Sequence, residues 1–299
     1  MKWNYHNTGQ LVGFILRRDR LRIPVWLTAL ILSSVVAALS YVYLFPTVED
    51  RQNLAQDMGN DPFSTALVGV GYGLDNYTFG AIMAHQMLII TAIFVGIMNI
   101  LFVARHTRAD EEKGRIELVL SLPTGKVSNL NATLIVACGL NVVMAVLIGY
   151  GLYLLQIQSM DLQGSLLYGA ALGVFGIFFA AMTALCAQLS ESSRGTMGLA
   201  FTVFGLAFII RAIGDVNVEN LSWLSPFGWI TGTEAYVNNY VWPLFLTLAI
   251  AVLLIILAFV FNANRDLESG ILPSRPGRRE ASSFLKGPFG LSLRLLHTN

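Results

Sequence analysis

The chain has 299 residues, 55% of them hydrophobic and 12% charged, with a mean hydropathy of +0.62. Ordinary soluble domains carry about 25% charged residues, so this composition excludes a soluble enzyme or binding module and points to an integral membrane protein. The formal net charge of +1 averages a basic face with an acidic one and gives no sign of nucleic-acid binding.

Ahead of the first apolar run, Gln10–Arg22 carries Leu11, Phe14 and Ile15 at helical spacing, followed by Arg17, Arg18, Arg20 and Arg22. This pattern predicts an interfacial helix lying among lipid headgroups, the alternative being a plain basic anchor. The run that follows is of full span length and is preceded by mixed residues, so it reads as a true first helix and not as a cleavable leader. A hydrocarbon core about 30 Å thick takes roughly 20 apolar residues to cross. Six segments meet that length: Pro24–Phe45, Ala81–Ala104, Leu130–Gln156, Gly164–Leu189, Gly195–Ile213 and Val241–Phe261.

Of the 19 Lys and Arg residues, 17 fall in residues 1–23, 105–126, 190–194 and 263–299. Basic residues near span ends resist translocation, so both termini and residues 105–126 are expected in the cytoplasm of a cell whose plasma membrane the chain crosses six times. Segments 46–80 and 214–240 then face outward. The first mixes acids, amides, Pro62 and the glycines Gly69, Gly71, Gly73 and Gly80, and reads as loop plus a short helix. The second carries Trp223, Trp229, Tyr236, Tyr240 and Trp242, an interfacial aromatic set, with Pro226 and Gly228 as helix breakers. A short hairpin dipping into the headgroups is the expectation there.

Within the spans, His85, Gln86 and Asn99 are polar residues of the second. His85 and Asn99 share a helix face, which would either line a substrate path or hydrogen-bond a neighbouring helix. Gly169, Gly173, Gly176, Ala180 and Ala184 in the fourth span form a stripe of small residues that predicts close helix packing. Arg211, near the outer end of the fifth span and four residues before Asp215, suits a snorkelling or an i, i+4 ion-paired side chain better than a substrate contact. Cys138 and Cys186 read as small packing residues.

The segment between the second and third spans is the most unusual, reading RHTRADEEKGRIELVLSLPTGK from Arg105 to Lys126. Asp110, Glu111 and Glu112 precede Gly114, and Ile116, Val119 and Leu120 form an apolar stripe before Pro123. Arg108, Arg115 and Glu117 are expected to project from the polar side, toward the lipid surface or a soluble partner. No phosphate loop of the form G-x-x-x-x-G-K-[ST] occurs, nor HExxH, nor GxSxG, so no enzyme activity, metal or cofactor is expected of the chain.

Glu112-Lys113-Gly114-Arg115-Ile116-Glu117, continuing to Pro123, resembles the E-x-G-x-x-E…P segment of type-two exporter permeases of ATP-binding-cassette (ABC) transporters. With Arg105, Arg108, Asp110 and Glu111 added, the run is most similar to the bacterial permeases described as polyketide-antibiotic exporters. Trp223-Leu224-Ser225-Pro226-Phe227-Gly228-Trp229 resembles the segment before the last span in that subfamily. The resemblance implies an all-α polytopic protein with six transmembrane helices, an elbow helix in residues 1–23, a transmembrane domain over 24–262 and a cytoplasmic coupling helix within 105–126. It implies Arg108, Asp110, Glu111, Glu112, Gly114, Arg115 and Glu117 as the elements that couple to a separate ABC ATPase subunit. Membrane lipid, a small hydrophobic or amphipathic substrate contacting spans one, two and five, and a second permease copy or second half are the other implied partners. The tail, 263–299, ends with an apolar-then-basic run similar to the start of the chain, as though a second half began there. An ion-coupled transporter or channel is the other class considered, but none of the six runs contains Asp or Glu to carry coupling.

Overall fold

A computed structural model of the chain describes residues 6–114, 125, 127–217, 219–264 and 292. Among these the secondary structure is helical, without strands, and six helices are long and apolar enough to cross a membrane. The chain is therefore an all-α polytopic membrane protein, as its hydropathy predicts. Helix α1 (Thr8–Arg18) precedes the first span, α2 (Arg22–Leu44). Helices α3 (Val48–Asn60) and α4 (Pro62–Val68) and a single 3-10 turn (Leu74–Asn76) lead to the second span, α5 (Phe79–His106). A short helix, α6 (Arg108–Glu112), follows it. The third and fourth spans are α7 (Ser128–Leu154) and α8 (Leu162–Leu189), and the fifth is α9 (Ser193–Asn217). Helices α10 (Glu219–Ser222) and α11 (Pro226–Thr231) lead to the sixth span, α12 (Trp242–Asn264). Every span end lies within four residues of its expected position.

Helix α8 is the centre of the bundle, packing against α5, α7, α9 and α12. In lipid the tails are as apolar as leucine, so helices associate through close van der Waals contact rather than by escaping water. The stripe of small residues on α8 supplies that contact, and its neighbour is α7. A Cβ at Gly169 would collide with the Ala145 carbonyl oxygen, and one at Gly173 would come within 2.8 Å of the Ala145 Cβ. Gly176 leaves room for an amide pair: Asn141 on α7 donates to Asn99 Oδ1 at 2.7 Å, and Asn99 donates back to Asn141 Oδ1 at 3.1 Å. Each buried amide thus meets the other, which removes the cost of placing it in hydrocarbon. On the outer surfaces Val36 and Leu39 of α2, Val142 and Val146 of α7, and Val252 and Ile256 of α12 remain exposed, as a lipid-facing belt requires.

The segment after α2 is more helical than its mixed composition suggests. Thr47 and Asp50 form a capping box, and Asp61 caps α4 by accepting from the backbone of Phe63 and Ser64, with Pro62 in the first turn. Hydrogen bonds from the Thr47 side chain and backbone hold the Asp50 carboxyl below its usual range, and those from the Ser64 hydroxyl and the Phe63 and Ser64 backbone do the same for Asp61. A lowered carboxylate contributes above its unfolded value and loses that contribution as pH falls through the folded one, so these caps weaken only in acid.

Pro226, expected to break a helix, begins one instead: it occupies the first turn of α11, behind the Ser225 cap. Nor does the segment dip only into headgroups. Phe227 is fully buried, with its ring centroid 4.8 Å from Phe175, 5.4 Å from Phe204 and 5.6 Å from Phe208. Phe175 and Phe204 lie near the middles of α8 and α9, so α11 re-enters the bundle. Irregular backbone is tolerated at that depth because protein surrounds it.

The steric role of the α8 stripe sets up a contrast between glycines. Gly169→Ala should lower stability by about 1–3 kcal/mol through overpacking against α7. Gly151→Ala, on a surface with nothing within 4 Å of the new Cβ, should leave it unchanged or raised. Thermal unfolding of the two variants in one detergent measures the difference, and equal midpoints would refute the packing account.

Candidate functional site

The charges that hydropathy segregates to one end of the bundle, the basic face, meet around α6. Helix α5 has 28 residues and so extends about 42 Å, more than a hydrocarbon core of about 30 Å. That leaves length for its last turn, with Arg105 and His106, to stand clear of the acyl chains. The helix stops at Thr107, whose hydroxyl donates to the Val103 carbonyl at 2.7 Å and whose backbone leaves the helical region. Helix α6 then starts in a new direction, with Arg108, Asp110 and Glu111 buried and Glu112 exposed.

On one side α6 and the end of α5 are tied to α1. Arg18 pairs with Asp110 at 2.6 Å. Asp19, just beyond α1, lies 3.2 Å from Arg105 and 2.6 Å from His106 Nε2, and His106 Nδ1 is 3.9 Å from Asp110. On the other side α6 clasps the turn between α8 and α9. Arg108 donates through Nε to the carbonyl of Ser190, the C-cap residue of α8, at 2.6 Å, and also pairs with Glu111 at 3.0 Å. Glu112 accepts from the backbone N–H of Ser193, at 3.2 Å, and from its hydroxyl. Ser193 is the first residue of α9. The guanidinium thus sits at a helix C-terminus and the carboxylate at a helix N-terminus, each opposite in sign to the partial charge there.

Arg108 was expected on the polar side facing a partner; instead it is 1% exposed and turned inward. The reason is electrostatic: the last carbonyls of α8 are unsatisfied by their own helix, and a guanidinium donates to them at fixed geometry. Gly114, at φ 67°, takes the left-handed conformation just beyond α6. Arg115 and Glu117 lie outside the described residues. Sequence reasoning missed Asp19, His106, Ser190 and Ser193. Asp19 did carry a signal, as the one acid in residues 1–23 among four nearby arginines.

The polar residues of the second span are brought to separate places. Asn99 meets Asn141. His85 lies toward the opposite end, where its Nε2–H donates to the Gly69 carbonyl at 3.1 Å and Nδ1 contacts the Tyr77 hydroxyl at 2.7 Å. Both bonds tie α5 to the segment before it. Gln86, half-buried, neighbours that hydroxyl. On α9, Arg211 is fully buried, paired with Asp215 at 3.0 Å and donating to the Leu67 carbonyl at 3.2 Å. The expected i, i+4 pair is present and also fastens α9 to α4. Cys138 and Cys186 are free thiols. No group of three or more potential metal ligands occurs among the described residues.

Residues 9–261 match the family described as the multidrug efflux system permease Rv1217c, C-terminal domain. The chain is also 37% identical, over 301 aligned residues, to the multidrug efflux system permease protein Rv1217c of Mycobacterium tuberculosis (strain ATCC 25618 / H37Rv). That alignment covers 97% of this chain and 52% of the relative, so the chain spans about half the length of the curated relative it matches.

The ion pair between α1 and α6 can be weighed directly. Asp110→Ala leaves Arg18 largely buried without this carboxylate and should cost about 3 kcal/mol. Adding Arg18→Ala should recover part of that loss, with a coupling energy of about 1–3 kcal/mol between the two positions. Denaturation of wild type, both single variants and the double variant gives the cycle, and strict additivity would mean the two side chains do not interact.

Proposed function

The chain belongs to the multidrug efflux permease family typified by the Rv1217c C-terminal domain, and from that membership we propose that it is a membrane-embedded half of an ATP-driven ABC exporter. The basic face is cytoplasmic, the membrane is the plasma membrane, and ATP is hydrolysed by a separate subunit. Hydrophobic or amphipathic compounds of the antibiotic or polyketide kind are carried outward. A second copy of the chain, or a second half, completes the path.

The observation that carries this reading is the clasp of α6 on the α8–α9 turn. An ATPase that pushes on residues 105–126 moves α6, and α6 cannot move without pulling two helix ends with it. Arg108 holds the end of α8, the central helix, and Glu112 holds the start of α9. Arg18 and Asp19 transmit the same displacement to α1, which acts as the elbow helix at the membrane surface. Charge-assisted hydrogen bonds are directional and stiff compared with apolar contact, so a small shift at α6 arrives at the spans without being absorbed. In this scheme the internal carboxylates and guanidiniums are transmission elements, and contact with the ATPase falls to Glu117 and its neighbours in the E-x-G-x-x-E run.

Affinity purification of the tagged full chain from native membranes, with identification of bound proteins and assay of ATP hydrolysis, tests the reading. An ATPase should be recovered, and deleting residues 108–122 should abolish its binding. Replacing both Glu112 and Glu117 by Ala should leave insertion intact while lowering drug-stimulated hydrolysis at least about ten-fold, equivalent to about 1.4 kcal/mol. A well-folded double variant with unaltered stimulation would sink the coupling assignment. A chain that exports without any ATPase would point to the ion-coupled class.

A further inference from the structure

A cavity of about 240 Å³ opens at the basic face between the α1–α2 junction, α5 and α7. Its walls are apolar, formed chiefly by Trp26, Leu27, Met98, Phe102 and Leu140. Asn99 also lines it, but its amide is consumed by Asn141 and the Val95 carbonyl, so the inner wall offers no free polar group. At the mouth stand Arg22, Arg105 and Asp19. Arg105 and Asp19 pair with each other, whereas Arg22 is exposed and has no carboxylate partner among the described residues. The mouth is therefore net positive over a dry interior.

Depth and size narrow the occupant. Met98 lies seven residues before Arg105 on the same helix, or about 10 Å further into the bilayer, so the cavity runs from headgroup level into the acyl region. Its volume is below the roughly 300–1,000 Å³ of pockets that hold drug-sized ligands, which favours one slender chain over a bulky ring system. Basic pockets between membrane helices attract anionic headgroups. We propose that this cavity holds an acyl chain of an anionic phospholipid from the leaflet at the basic face, with the phosphate between Arg22 and Arg105. A phosphate there draws on the same guanidinium that holds Asp19, and so makes the α1–α5 ion-pair cluster responsive to the charge of the surrounding lipid.

Trp26 in the wall provides the probe. The full chain is reconstituted in phosphatidylcholine vesicles containing either brominated phosphatidylglycerol or brominated phosphatidylcholine, and the quenching belonging to Trp26 is taken as the difference between wild type and Trp26→Phe. The anionic lipid should quench at a several-fold lower mole fraction than the zwitterionic one. Arg22→Gln should cut that preference about five-fold, and Arg22→Lys should retain it. Equal quenching by the two lipids would mean bulk lipid contact only and would overturn the proposal. So would a preference unchanged in both Arg22→Gln and Arg105→Gln, or stronger quenching by a brominated alkylamine, which would assign the cavity to a different occupant.

Discussion

Helix ends carry charge that their own backbone cannot neutralise, and the basic face of this protein is organised around that fact. Two long helices, α8 and α9, end and begin within a few residues of each other, presenting carbonyls and N–H groups side by side. One five-residue helix, α6, answers both, with Arg108 on the carbonyl side and Glu112 on the N–H side. The spacing of the two charged residues along α6 matches the separation of the two helix ends. Because the arginine is buried, losing its partners would strand a charge away from water, so α6 is held in place more firmly than a surface ion pair would hold it.

The remainder of the bundle makes that anchorage consequential. Helix α8 touches four other spans, so whatever fixes its end positions the framework against which α5, α7, α9 and α12 are set. Its contact with α7 is steric, made of glycines whose replacement would drive a side chain into the facing backbone. At the opposite end the same bundle is closed by a different device. Helix α11 pushes Phe227 between α8 and α9, and Arg211 ties α9 to the carbonyls of α4, with its ring-face contact to Phe208 adding to the hold. Charge orders the basic face, while aromatic packing and one buried arginine order the far face.

Most of the transmembrane layout was legible in residue order alone, since hydrocarbon penalises any run that is too short or too polar, and the six apolar runs stand out for that reason. The Arg211–Asp215 pair was legible too, because four residues on a helix bring two side chains together. Of the helices α3 and α4 only one short helix was legible, although Thr47, Asp50, Asp61 and Pro62 spell out the caps of both; a polar segment with several glycines hides short helices whose stability comes from caps and neighbours. Pro226 was misread for a related reason. A proline opens a helix as readily as it ends one, and only the Ser225 cap before it tells the two apart.

The sequence by itself determined that the chain has six runs long and apolar enough to cross a membrane and that 17 of its 19 basic residues fall in alternate segments outside them, because burial of a charge in lipid is costly whatever the fold. It determined as well that residues 105–126 are exceptional. Only the tertiary structure decided where the charges of α6 point. Asp110, Glu111 and Glu112 sit in consecutive positions and read as a solvated acidic edge, yet Arg18 of α1 and Arg108 take Asp110 and Glu111 inward, while Glu112 stays exposed and is held by the first residue of α9. Likewise Asn99 found its partner 42 residues away. Such pairings join segments that are distant along the chain, and their geometry exists only once the helices have packed.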